Sequence, residues 1–171
     1  SNRHGIHWKV TATLKRYLEE QRDEVQIIDL SNMSFNFCCG SQQCQEGECV
    51  YKGDILSKIF REVIIKAECI YIVAPTYFDM PPARLKNFID RSNAFLPFFE
   101  RTNLHPLFGT WVSGEADMGS IRNNTKLLHS YAKIMGWNPC KEITQEVLLD
   151  NIDIDEERIL KIAKTLHDIL R

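Results

Sequence analysis

No apolar run in this 171-residue chain reaches the ~18–20 residues that a bilayer-spanning helix needs, and no secretory signal opens it. Charge of one sign is not in excess either: 21 Lys and Arg stand against 23 Asp and Glu, a formal net charge of -2. A general nucleic-acid binder needs a basic surface to displace counterions from phosphates, so that class drops out. No pair among the five histidines has the His-x-x-x-His spacing, with an intervening Glu, of a zinc-hydrolase helix. No Ser/His/Asp or Cys/His arrangement can be picked out, and nothing points to a hydrolase. Internal repeats and low-complexity linkers are lacking, so residues 1–171 read as a single domain. A chain of this length buries roughly 70% of the surface exposed on unfolding, and disulfides are not needed to hold it. The expected protein is soluble and cytoplasmic, with neither a membrane nor a nucleic acid as partner.

What is present is an alternation of two periodicities. Ile6, Val10, Leu14 and Leu18 recur every four residues and predict a first helix. Residues 24–30 (EVQIIDL) read as a strand, and a polar, Cys-rich loop runs from about 31 to 53. Asp54 caps a second helix with Ile55, Ile59 and Val63 on one face. Residues 70–74 (IYIVA) form a continuous apolar run, the mark of a strand covered on both faces in a parallel sheet. Pro81 and Pro82 open a third helix to about Phe95, and 107–112 (LFGTWV) is the next strand. A helix from about Ser120 stops at Gly136, a weaker strand lies near 141–147, and a last helix turns Ile159, Ile162, Leu166 and Ile169 inward. Strands alternating with helices predict a doubly wound parallel sheet with helices on both faces. Ligands in such sheets bind beyond the carboxyl ends of the strands. That rule selects the start of the first helix, residues 75–80 and residues 113–120.

Cys38, Cys39, Cys44 and Cys49 crowd into one loop, whereas Cys69 and Cys140 stand alone in apolar surroundings, Cys69 as a small core hydrophobe. Ser1-Asn2-Arg3-His4-Gly5 lies directly before the first helix. Exposed N–H groups, the helix dipole and an arginine suit a phosphate there, although Ser and Asn are also ordinary N-caps.

These pieces together resemble one family. The N-terminal loop, then Pro75-Thr76-Tyr77-Phe78, then Leu85-Lys86-Asn87-Phe88-Ile89-Asp90-Arg91 resemble the flavodoxin-like NAD(P)H-dependent FMN reductases. The loop of four cysteines followed by Tyr51-Lys52-Gly53-Asp54 resembles the iron–sulfur flavoprotein branch of that superfamily. The resemblance implies a flavodoxin-like fold and FMN as cofactor, with the phosphate on Ser1 and Arg3 and His7 as helper. It lays Pro75, Thr76, Tyr77 and Phe78 along the flavin ring, and puts Ser113, Gly114 and the residues to Gly119 over its pyrimidine side. Glu115 and Asp117 make that last loop acidic, so its backbone would serve the ring and its side chains would turn to water. The implied activity is electron transfer from NAD(P)H to a quinone, azo or nitro compound, metal or free flavin. The cofactor carries this chemistry and no catalytic side chain is required. Two alternatives stay open: an electron carrier of the flavodoxin or iron–sulfur flavoprotein kind working with a protein partner, and a non-catalytic flavodoxin-fold module.

The cysteine spacing departs from a compact cluster motif, because Ser41 stands at the second ligand position and Cys39 adjoins Cys38. The loop is therefore expected to carry reduced thiols, some redox-active, and no metal. Lys86, Asp90 and Arg91 read as a solvated helix face or a subunit contact. The run Phe95, Leu96, Phe98, Phe99 must be buried in a core or against a partner, and a homodimer or higher homo-oligomer is expected. A doubly wound sheet opens with a central strand feeding the phosphate loop, whereas this sequence starts inside that loop. An apolar strand of ~5–8 residues is therefore expected upstream.

Overall fold

The computed structural model describes residues 5–102, 104–115, 117–149 and 156–171. In chain order they form α1 (Ile6–Glu20), α2 (Ile55–Glu62), β1 (Cys69–Pro75), α3 (Ala83–Ser92), α4 (Leu96–Thr102), β2 (Leu107–Gly114), α5 (Met118–Ile134), β3 (Asn138–Pro139), β4 (Gln145–Leu148) and α6 (Glu156–Leu170). The pairings among these strands are parallel: β2 lies between β1 on one side and β3 with β4 on the other. The strand expected near 141–147 is split in two. Pro139 has no N–H for the ladder, and Thr144 N–H bonds Lys141 O at 3.1 Å, closing a turn between the halves.

Successive residues of β2 point to opposite faces, and this alternation assigns the two cores. Phe108 and Val112 join Ile70 and Ala74 of β1 against α2, α3 and α5. Trp111 turns the other way, against Val10, Leu14 and Leu18 of α1 and Ile159, Ile162, Ala163 and Leu166 of α6. Gly109 must be glycine on that second face, since a Cβ there would sit 2.6 Å from Ile143 Cδ1 and 2.7 Å from Tyr71 Cδ2. Phe60 is stacked between Phe88 and Phe95, with centroids 4.7 and 4.6 Å away. The aromatic run 95–99 is thus absorbed by the chain's own core: Phe95 and Phe99 are buried, and Leu96 and Phe98 pack against them.

Four sequence expectations are corrected. Residues 24–30 form no strand: ladder bonds need a neighbour about 4.8 Å away, no described strand pairs with them, and Leu30 opens a 3-10 turn. The buried face of α2 is Leu56, Ser57, Ile59 and Phe60, one step round from the predicted stripe, leaving Ile55 exposed. Ile169 is exposed on α6, where Ala163 and His167 are buried instead. His167 Nδ1 meets Asp23 Oδ2 at 2.7 Å, which ties the end of α6 to the turn after α1.

Arg91 is the fourth. It is 3% exposed and belongs to no solvated face. Its guanidinium donates to both carboxylate oxygens of Asp54 at 2.8 and 3.0 Å, to Asn36 O at 2.7 Å and to Ser57 Oγ at 2.9 Å. One cation thereby joins the cysteine loop, the N-cap of α2 and the end of α3. The surface pair on α3 is Lys86 with Asp90. Cys69 packs into the second core as expected, and burial pushes its thiol up to about 12.

Candidate functional site

The start of α1 and the carboxyl ends of β1 and β2 meet at one edge of the sheet. Gly5 caps α1 in an extended conformation, and its carbonyl accepts from Trp8 and Lys9 N–H at 3.0 and 3.1 Å. Gly5 has no side chain to cap with, and the first turn carries no acidic residue. His7 Nε2 and Ser113 Oγ share a hydrogen bond at 2.8 Å, joining α1 to the end of β2. Burial pushes the His7 imidazole down to about 4, so it stays neutral near pH 7.

Beyond Pro75 the ladder runs one step further, with Thr76 N–H donating to Ser113 O at 2.7 Å. The chain then reverses in a two-residue turn, because Tyr77 and Met80 exchange backbone hydrogen bonds at 3.0 Å each. The turn residues Phe78 and Asp79 have φ of 48° and 63°. This is the mirror-image hairpin turn that glycine or asparagine normally fills, and a left-handed L-residue costs roughly 1–2 kcal/mol. The strain holds a large apolar side chain in water: Phe78 is 101% exposed, and Tyr77 and Met80 are exposed beside it.

The third segment supports the turn. Asp117 caps α5 by accepting from Ser120 N–H at 2.9 Å, and that bond holds its carboxyl below the usual range. Ser120 Oγ bonds Asp117 and also Asp79 across the gap between the loops. Asp117 and Glu115 are both exposed, as expected of the acidic side chains of this loop, and Asp117 caps the helix from its exposed position. Gly119 follows from the same cap, since a Cβ there would lie 2.8 Å from Asp117 Oδ1. Gly114 lies close to Thr76, its Cβ position being 3.5 Å from Thr76 Cβ and 3.3 Å from Ile121 Cγ1.

The fold thus brings His7, Pro75, Thr76, Ser113 and Gly114 into one hydrogen-bonded group, with Tyr77 and Phe78 projecting from its rim and Gly119 across from them. Ser1 and Arg3 lie outside the described residues. Sequence reasoning missed Asn124. It is fully buried, and its Nδ2 donates to Thr76 Oγ1 at 3.1 Å and Pro75 O at 3.4 Å, fixing the root of the turn. The signal was an amide on the buried stripe of α5 that also holds Ile121 and Leu128. The latch between Asp79 and Ser120 was missed as well; residues 41 positions apart leave no local signal.

A family model described as NADPH-dependent FMN reductase matches residues 1–152. An iron-sulfur flavoprotein of Archaeoglobus fulgidus is 25% identical over 138 residues, 80% of this chain and 60% of that protein. The chain therefore spans about three fifths of the length of that curated relative. Among solved structures, a flavodoxin, WrbA-like protein from Agrobacterium tumefaciens superposes with a TM-score of 0.64 at 16% identity, covering 98% of this chain and 91% of that one. A flavone reductase superposes with a TM-score of 0.67 at 15% identity, covering 99% of this chain and 59% of that one. The two structures share the flavodoxin-like fold with this chain: a parallel sheet with helices on both sides.

Proposed function

The chain belongs to the NADPH-dependent FMN reductase family, and we propose that it holds FMN across the sheet edge and passes electrons from NAD(P)H to a small-molecule acceptor, a quinone, azo or nitro compound, metal or free flavin. The observation that carries this reading is the strained turn, which spends conformational energy to keep Phe78 in water beside Tyr77 and Met80.

The residues present fit the cofactor. A flat ring with one polar edge needs an apolar surface and a few fixed donors. Tyr77, Phe78 and Met80 supply the surface. Thr76 and Tyr77 N–H are already used by Ser113 O and Met80 O, so the donors left at the turn are the N–H groups of Phe78 and Asp79. The first turn of α1 offers N–H groups and a favourable dipole to the phosphate, with Ser1 and Arg3 before it in the chain. When bound, FMN supplies the hydride and electron chemistry between the nicotinamide and the acceptor. The protein orients and shelters. Neutral His7 fixes Ser113 without adding charge, and Asn124 with Ser120 holds the turn from behind.

FMN titration followed by visible absorption is expected to give a shifted, saturable spectrum, which NADPH then bleaches. Phe78→Gly adopts the same φ without strain and loses no internal packing. It is expected to leave stability within ~0.5 kcal/mol. It should weaken FMN binding about 10-fold, which is ~1.4 kcal/mol. No spectral shift, or no NADPH oxidation with any acceptor, would refute the enzyme reading; reduction by ferredoxin alone would favour the electron carrier.

A further inference from the structure

Between α3 and residues 38–51 lies a shallow cleft walled by Cys38, Cys39, Cys44, Cys49, Tyr51 and Arg91. The name of the archaeal relative raises an iron–sulfur centre, but the donors here do not fit one. Ser41 stands at a ligand position, with its Oγ accepting from Gln43 N–H at 3.3 Å. Cys44 Sγ is held between Ser41 O at 3.2 Å and Asn93 Nδ2 at 3.3 Å, and Cys49 Sγ accepts from Arg91 Nε at 3.1 Å. Among the described residues no three His, Cys, Asp or Glu side chains are placed to hold a metal ion.

Instead, the cleft contains a linked pair of thiols. Cys39 is exposed and lines the cleft together with Tyr51. The Arg91 guanidinium lies 5.1 Å from the centre of the Tyr51 ring and donates to the half-buried Cys49. Exposure next to a fixed cation is the setting of reactive cysteines, and a second thiol nearby lets an oxidised first one resolve. We propose that Cys39 and Cys49 form a dithiol redox site that reacts with small-molecule disulfides.

The Cys39 thiolate attacks one sulfur of the disulfide. A new S–S bond forms, the old one breaks, and one small thiolate leaves, taking a proton from water. Cys49, giving its proton to solvent, then attacks the Cys39 sulfur and expels the second small thiolate. Two protein thiols are oxidised to one disulfide, and one small disulfide is reduced to two thiols. Backbone and Tyr51 hydrogen bonds lower the Cys39 thiol from its ordinary range, the Ser41 N–H contributing most. Cys49 is the partner because Cys38 is adjacent in the chain and Cys44 is engaged on two sides, by Ser41 O and Asn93 Nδ2, while Cys49 has the one bond from Arg91. Gly40 and Gly47 give the loop two left-handed turns, at φ of 69° and 85°, with open space around each Cβ position.

The site is independent of the flavin reading and is tested on the whole chain. Reduced protein is exposed anaerobically to oxidised glutathione, quenched at intervals with iodoacetamide, and mapped by peptide mass spectrometry. Cys39 is expected to form a mixed disulfide at least about 10-fold faster than Cys38 or Cys44. A Cys39–Cys49 bridge follows, with two glutathiones released per disulfide consumed. Cys49→Ser stops at the mixed disulfide, and Tyr51→Phe slows the first step about 3-fold or more while circular dichroism stays unchanged. Equal reactivity of Cys38, Cys39 and Cys44, a bridge to another cysteine, or iron held by these thiols in anaerobically purified protein would overturn the proposal.

Discussion

Replacing Arg91 by alanine tests how much of the fold hangs on one buried cation. The guanidinium is 3% exposed and makes four strong hydrogen bonds, two of them to Asp54. Its loss leaves the Asp54 carboxylate, whose side chain is only 11% exposed, without its cation. Breaking a buried pair by removing one partner costs ~3–5 kcal/mol. Asp54 keeps its bonds from Ser57 N–H at 3.0 Å and Asn36 N–H at 3.3 Å, which places the expected loss near the lower end of that range. A loss of ~3 kcal/mol lowers the melting temperature by roughly 6–12 °C for a domain of this size. Burial raises the Asp54 pKa, but hydrogen bonds from Arg91 and the Ser57 backbone outweigh it and bring the carboxyl to about 2. A folded pKa below the unfolded value gives stability that is complete above pH 3.8 and fades as pH falls towards 2. Urea unfolding of wild type and Arg91→Ala at pH 7 and pH 3 should therefore show a gap that narrows in acid. A difference below ~1 kcal/mol at pH 7, or one that does not narrow at pH 3, would refute the reasoning.

Two further outcomes are expected. Gly109→Ala puts a methyl into the packed contact with Ile143 and Tyr71, and thermal unfolding should show a loss of ~1–3 kcal/mol. His7 is neutral when folded down to about pH 4, whereas the unfolded chain takes up the proton near 6.5. Its contribution is therefore complete above 6.5 and lost as pH falls towards 4. His7→Gln should flatten the stability–pH curve over that window, and an unchanged curve would contradict the buried geometry.

Both periodicities, and with them the layered parallel fold, were legible in the chain itself. Val10, Leu14 and Leu18 mark a face of α1 at helical spacing, and 70–74 mark a strand covered on both sides, because each pattern reports burial of neighbouring residues. The loops at the sheet edge were legible for a related reason: parallel strands end on one edge, so residues following two of them must meet there. Tertiary structure alone decided what depends on distant neighbours. Residues 24–30 form no strand, since a ladder is a property of two strands. Asp90 and Arg91 are consecutive and both charged, yet one stays at the surface with Lys86 while the other is buried against Asp54, 37 positions away. The turn at Phe78 has no glycine to announce its left-handed backbone, and it holds only because Asn124 and Ser120 secure it from another helix. Sequence spacing records which side chains share a face; which faces meet, and which polar groups find each other, is set by packing over long range.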